Sequence, residues 1–391
     1  MTTPSAGRPG HHVVVVGAGG NIGSHLVPHL ARMRDVTRLT LIDPDHYELH
    51  NTRNQAITVA QVGRSKVEVQ AAAARAIDPH LVVRTFAEPV EDVPLMRLRG
   101  DVILSCLDSR RARQYLNEVA RHLGGPWIDA GVLGMGRVAR IDLYLPAPDA
   151  PCLECRWDST DYEAVEQRYP CSEPDAPGGS DAPSALGALA ASLQALACQQ
   201  LLEGNTTGDA LGAGDQVVIV ASHHRHYRTA HKRSARCRLG DHAVWAIEPL
   251  SLDRNHRTIG ALFTRVEVAV GAATAPELRV PGRQFAQRET CTHCDNSRPV
   301  LRALRAKDAE CAPCVHCSGP MVVTGFGVVE TLSRTMLTPS ERGRSLRSIG
   351  LRDGDVITVE TTTTRRHFAL ELPTHPHRET ATRAGASTET P

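Results

Sequence analysis

Four consecutive β-branched residues at 13–16 run straight into Gly-Ala-Gly-Gly-Asn-Ile-Gly at 17–23. A short unbroken apolar run closed by glycines predicts a strand buried on both faces. Similar runs at 39–42, 81–86, 102–104 and 127–128 predict four more strands. Between them, apolar residues recur at helical spacing near 22–33, 66–77 and 112–122. Strand and helix in alternation predict an α/β fold, with a Rossmann-like, doubly wound and mostly parallel sheet. Residues 137–145 alternate polar and apolar, which suits an antiparallel addition to that sheet. Residues 146–183, rich in Pro, Asp, Gly and Ser, read as a long loop. A helix at 184–202 and a strand at 216–221 follow.

Past residue 245 the pattern shortens to β-like runs at 266–270, 321–324 and 356–361. The expected organisation is one domain over 1–245, a small β-rich, zinc-ribbon-containing domain over 246–375, and a polar, Thr-rich disordered tail over 376–391. Asp353-Gly354 predicts a tight turn feeding a strand. A generic small β domain is preferred there to a ubiquitin-type β-grasp.

The glycine loop is also the first chemical signal. Gly17, Gly19, Gly20 and Gly23 allow a tight turn whose amides face a phosphate, ahead of a helix expected to open at Asn21. Asp43 closes the next strand twenty positions after Gly23, where a carboxylate suits a ribose hydroxyl. A nucleotide site is expected. The charge balance, 44 basic against 43 acidic side chains, gives no field that favours nucleic acid. No apolar stretch of membrane-spanning length is expected, and 1–12 does not read as a signal peptide, so no membrane partner and a cytoplasmic location are predicted. Among basic residues arginine dominates; only Lys66, Lys232 and Lys307 are lysines, which singles out Lys66.

A lone glycine fingerprint serves many dinucleotide enzymes. After Asp43, however, come Asn51-Thr-Arg53-Asn-Gln, Gly-Arg-Ser-Lys66 and Leu-Asp108-Ser-Arg-Arg-Ala-Arg113-Gln-Tyr-Leu-Asn117. In this order they resemble the ThiF/MoeB/HesA family of adenylyltransferases, related to ubiquitin-activating enzymes. The resemblance runs from residue 13 to residue 220. It implies ATP and Mg²⁺ as cofactors and a homodimer. It also implies activation of the C-terminal carboxylate of a ubiquitin-like or sulfur-carrier protein. Some relatives activate a small acid or peptide instead. By resemblance Asp43 takes the ribose and Asn51 contributes near the phosphates.

The chemistry makes matching demands. A carboxylate attacking the α-phosphorus brings two anions together, so positive charge and a metal are required. Arg53 and Lys66 would neutralise the triphosphate and Asp108 would hold Mg²⁺. Arg113 and Asn117, on one helical face, would shape the site. The family reads Asn-x-Asn-Arg-Gln where this chain has Arg53 before Asn54, leaving open which side chain meets the phosphates. A cross-subunit arginine before the first strand is represented only by Arg8, so that contact is missing or supplied elsewhere. An NAD-dependent dehydrogenase would explain the glycines and Asp43 but gives no role to Arg53, Lys66 and Asp108. A non-catalytic partner subunit is opposed by Lys66 and Asp108.

Eleven cysteines point to metal or thiol chemistry. Cys152-x-x-Cys155 matches the family's first zinc knuckle. Its second pair is replaced by Cys237 alone, so Cys237 and His242 are expected to complete a structural Zn²⁺ site. Cys171 matches the loop where relatives carry a thioester-forming cysteine; it could equally be a zinc ligand or inert. Cys291-x-x-Cys294 and Cys314-x-x-Cys317, with nineteen residues between the pairs, have zinc-ribbon spacing.

Overall fold

The computed structural model describes residues 10–166, 182–204, 209–240, 242–253, 257–271, 276–304, 312–323, 325–361 and 364–371. Cys171, Cys311, Arg8 and the tail over 376–391 lie outside them.

The chain enters through β1 (His11–Val16), α1 (Gly23–Leu30), β2 (Val36–Ile42), α2 (Lys66–Ile77), β3 (Val82–Phe86), β4 (Val102–Ser105), α3 (Arg110–Leu123), β5 (Trp127–Leu133) and β6 (Val138–Tyr144). After α4 (Ser159–Glu166), α5 (Ser184–Leu202), β7 (Asp215–Val220) and β8 (Arg225–Ala230), the first sheet is complete. Its order is β3-β2-β1-β4-β5-β6-β7-β8. Strands β1 to β5 are parallel, and β6, β7 and β8 are antiparallel additions. The unbroken valine run now has a reason. Val13 and Val15 face a core shared with α1, α2 and α5, while Val14 and Val16 face a second core shared with α3 and Trp127. The sheet is covered on both faces, so both registers of the strand must be apolar.

Three expectations for this part of the chain need correction. The first helix starts at Gly23, because residues 20–22 are used by the turn. The helix at 159–166 lies within the stretch read as loop. The expected absence of a membrane-length apolar stretch also fails, since α5 is long and apolar enough by length and composition. It packs against β5, β6 and α1, and Gln194 inside it donates to the carbonyls of Ser105 and Ile128 at 3.0 and 2.8 Å. Its apolar length is accounted for by that packing on the sheet.

The second part begins with β9 (Ile247–Ser251), α6 (Ile259–Val270) and β10 (Glu277–Arg279), and continues with β11 (Phe285–Cys291), β12 (Ser297–Ala303), β13 (Met321–Val322) and β14 (Val328–Val329). It ends with β15 (Thr331–Ser333), β16 (Val356–Glu360) and β17 (Arg365–Glu371). A five-stranded sheet, β15-β10-β16-β17-β9, carries α6, and β11 to β14 form a small separate sheet. The β-like run at 266–270 is the end of α6, not a strand. Thr258 caps that helix by accepting from the Ala261 amide, Ile259, Leu262, Phe263 and Val266 bury one stripe, and Gly271 ends it left-handed at φ 63°. A five-residue apolar window cannot distinguish the two periods.

The two parts share buried contacts. Arg283 pairs with Asp355 at 2.9 Å and donates to the Asp92 carbonyl at 2.9 Å, and Arg352 pairs with Glu88 at 2.9 Å. Val356 belongs to the first sheet's core. Trp245 stacks between His122 of α3 and His367 of β17, with ring centroids 3.6 and 3.9 Å away. Trp245→Ala is expected to lower stability by about 2 kcal/mol, since the ring is half-buried. Urea titration measures this; an unchanged midpoint would mean the stack joins nothing of consequence.

Candidate nucleotide site and cysteine clusters

Strands β1 and β4 are neighbours from which the chain departs in opposite directions. Their carboxyl ends therefore form the switch point where ligands of open α/β sheets bind. The glycine loop follows β1 and Asp108 follows β4, so both reach this crevice.

The loop's glycines are required by close approach. Gly17 sits at φ 80°, and a Cβ there would meet the Cys106 carbonyl at 2.6 Å. A Cβ on Gly23 would overlap the Gly17 carbonyl, and one on Gly19 would fall on the stem of Lys66. At Gly20 a Cβ would meet protein only at 3.6 Å and beyond, so the space above it is open to a ligand. Gly19→Ala is therefore expected to displace Lys66 and weaken ATP binding about tenfold or more, while Gly20→Ala keeps the fold. Calorimetric titration with Mg-ATP tests the first; unchanged affinity in Gly19→Ala would contradict the packing argument.

Asp43 is buried, and its carboxylate accepts from the Gly19 amide at 2.9 Å and the Asp45 amide at 3.1 Å. Burial raises its pKa, opposed by the nearby Lys66 charge. These two hydrogen bonds from backbone amides fix the carboxylate in the turn. The loop is further tied by Tyr47, whose hydroxyl donates to the Gly19 carbonyl at 3.1 Å and accepts from Gln70 at 2.8 Å.

Lys66 is the first residue of α2, and its ammonium pairs with Asp45 at 3.1 Å. Its side chain is 11% exposed while that of Asp45 is 62% exposed, so a phosphate could replace Asp45 without moving the lysine. Asn51 serves the turn over Leu49–Arg53: its Oδ1 accepts from the Glu48 amide at 2.8 Å. The turn presents Arg53 to solvent, with no partner among the described residues. Asp108 is likewise exposed and unpaired among them; Ser109, not Asp108, caps α3 by accepting from the Ala112 amide.

Arg113 and Asn117 part company. Arg113 pairs with Asp129 at 3.2 Å and donates to the Leu107 carbonyl, next to Asp108. Asn117 was expected beside it at the nucleotide. Instead it donates to Glu154 at 3.1 Å and accepts from the Leu153 amide at 2.9 Å, holding the Cys152 loop. Four residues of helix place it about 6 Å further from the ligand end of the sheet. The sequence reading missed Asp129, a fully buried carboxylate that also accepts from Ser105 at 2.6 Å and Arg140 at 3.0 Å. Burial alone would raise its pKa, but Arg113 and Arg140 overcome this and hold it below the usual carboxylate range. A lone acid inside the apolar run Trp-Ile-Asp-Ala was the available signal.

Cys152, Cys155, Cys237 and His242 converge, with donor atoms 3.3 to 3.8 Å apart along four of the pairs. Ligands of a tetrahedral zinc stand about 3.5–3.8 Å apart. His242 engages the Ala150 carbonyl through Nδ1 at 3.1 Å, turning Nε2 toward the sulfurs. Arg121, also unforeseen, braces the loop by donating to the carbonyls of Ala147, Ala150 and Pro151. Cys291, Cys294, Cys314 and Cys317 form a second cluster, with sulfurs 3.4 to 3.7 Å apart along three of the pairs. Each pair closes on a left-handed residue, Asp295 at φ 54° and Ser318 at φ 57°.

This arrangement defines a Rossmann-like nucleotide-binding protein with two cysteine clusters suited to tetrahedral metal. The chain belongs to the ThiF family, whose model matches residues 10–239. It is 28% identical over 219 residues to ubiquitin-like modifier-activating enzyme 5 of Culex quinquefasciatus, covering 51% of this chain and 53% of that protein. It is also 32% identical over 174 residues to ubiquitin-like modifier-activating enzyme 7 of Homo sapiens, covering 40% of this chain and 17% of that one. The chain thus spans about half the length of the first relative and less of the second. Among solved structures it is similar to E. coli MccB, at 21% identity and a TM-score of 0.47, covering 59% of this chain and 66% of that chain.

Proposed function

We propose that this protein is an ATP-dependent adenylyltransferase that activates the C-terminal carboxylate of a ubiquitin-like or sulfur-carrier polypeptide. The observation that carries this reading is the glycine loop's contact with both arms of the site: Gly19 packs on the stem of Lys66, and Gly17 packs on the Cys106 carbonyl, two residues before Asp108. A carboxylate oxygen attacks the α-phosphorus of ATP, the bond to the β-phosphate's bridging oxygen breaks, and pyrophosphate leaves with an acyl-adenylate remaining. Lys66 and Arg53 offset the phosphate charge, Asp43 positions the ribose, and Asp108 supplies a carboxylate for Mg²⁺. Zn²⁺ in the two cysteine clusters is structural, because four protein donors leave no open coordination position. Transfer of the acyl group to Cys171 is a separate step at a residue outside those described.

ATP–pyrophosphate exchange tests the reading. Exchange is expected only when Mg²⁺ and a polypeptide with a free C-terminal carboxylate are both present, and a C-terminal amide should not support it. Running ubiquitin-like proteins and short peptides side by side separates protein activation from peptide activation. Absence of exchange across the whole panel would argue for a non-catalytic subunit.

A further inference from the structure

Asp129 and Asp142 lie directly opposite each other on β5 and β6, and both are almost wholly buried. Like charges in that position repel, so the pair requires cations. Three arginines supply them. Asp129 holds Arg113 and Arg140, and Asp142 pairs with Arg140 and with Arg156 at 2.7 Å and accepts from Gln216 at 2.6 Å. The row therefore carries three guanidiniums against two carboxylates. His231, at its far end, has its pKa lowered by burial and by Arg156 and Arg140, so it favours the neutral state and adds no positive charge.

The row begins at the nucleotide site, because Arg113 also holds the carbonyl of Leu107, the neighbour of Asp108. From there it crosses from β5 to β6 and on to Arg156. Gly131, paired with Arg140 in the strand register, has no side chain; a Cβ there would meet the Arg140 guanidinium at 3.1–3.2 Å, so that group lies flat over bare backbone. One position further on the same face is Leu133, 57% exposed. Among the described residues Arg113 Nη1 and Arg140 Nε have no hydrogen-bond partner.

We propose that Arg113 and Arg140, positioned by Asp129, form the seat for the carboxylate that attacks ATP. The occupant is the free α-carboxylate of an extended polypeptide end, reaching the guanidinium that covers Gly131. This rests on the adenylation reading and specifies its acceptor side. A guest carboxylate brings the row to neutrality, and paired guanidiniums suit it because their donors match its two oxygens. The same charge reduces repulsion between the acceptor and the triphosphate.

The experiment uses the full chain with Mg²⁺ and α,β-methylene-ATP, and N-acetyl-Gly-Gly as probe beside its C-terminal amide. Saturation-transfer NMR titration reads both. The free acid is expected to bind wild type about tenfold or more tightly than the amide. Arg140→Gln should erase that preference, and Arg140→Lys should retain part of it, while affinity for the ATP analogue changes less than about twofold in either variant. Equal binding of acid and amide by wild type would overturn the seat, as would a preference that survives Arg140→Gln. Failure of the analogue itself to bind wild type would overturn the adenylation reading, and the seat with it.

Discussion

Lys66→Ala is expected to lower ATP–pyrophosphate exchange about 10²–10³-fold, the scale of removing one preorganised charge from a site of developing negative charge. The lysine's ammonium has Asp45 as its partner, and Asp45 is mostly exposed. The stability change should therefore stay within about 1 kcal/mol, since a pair with one solvated member contributes little. Loss of activity with an intact thermal transition distinguishes a phosphate-binding lysine from a structural one. Asp108→Asn should behave similarly, with the loss partly offset by raised Mg²⁺, because Asp108 is unpaired and its replacement disturbs no observed contact. Exchange rates within about threefold of wild type in Lys66→Ala, well short of the expected loss, would remove the lysine from the mechanism.

The second large effect concerns metal. Two zinc ions per chain are expected, one for each four-donor cluster. Cys155→Ser should lose one of them and lower the melting temperature by about 10 °C or more, because structural zinc contributes folding free energy directly. The Cys152 loop is held by Asn117 and Arg121 from α3, the helix that also carries Arg113. Disorder at the knuckle should consequently reach the nucleotide site as weakened ATP binding. Cys314→Ser removes the other ion, and its effect should centre on β11 to β14. Elemental analysis with calorimetry reads both. A wild type that keeps its melting temperature after its zinc is stripped would contradict a structural role.

Much of the first sheet was legible because its strands are buried on both faces. An unbroken run of valines or leucines suits that burial, where a strand with one wet face would alternate. That the glycine loop, Asp43 and Lys66 would gather after β1, with Asp108 following β4, was legible because a tight turn at the switch point needs particular residue types at particular spacings. Tyr47, Gln70 and Arg121 were not, since each acts through contacts to a backbone carbonyl or a hydroxyl that no local pattern announces. Asn117 shows the limit of helical-face reasoning: sharing a stripe with Arg113 does not mean sharing partners, because the stripe runs along the axis. Asp129 and Asp142 meet only through antiparallel pairing of β5 with β6, a register that single-strand alternation cannot supply. In the C-terminal part the short strands pair across long separations, as β9 does with β17, so sequence reading found two of them and took the end of α6 for a third.

Calorimetric titration of wild type with Mg-ATP and with NAD decides whether the glycine loop holds a triphosphate. Binding of Mg-ATP with NAD silent under the same conditions is the predicted result. Binding of NAD with Mg-ATP silent would contradict it and return the glycine loop and Asp43 to a dehydrogenase-like role.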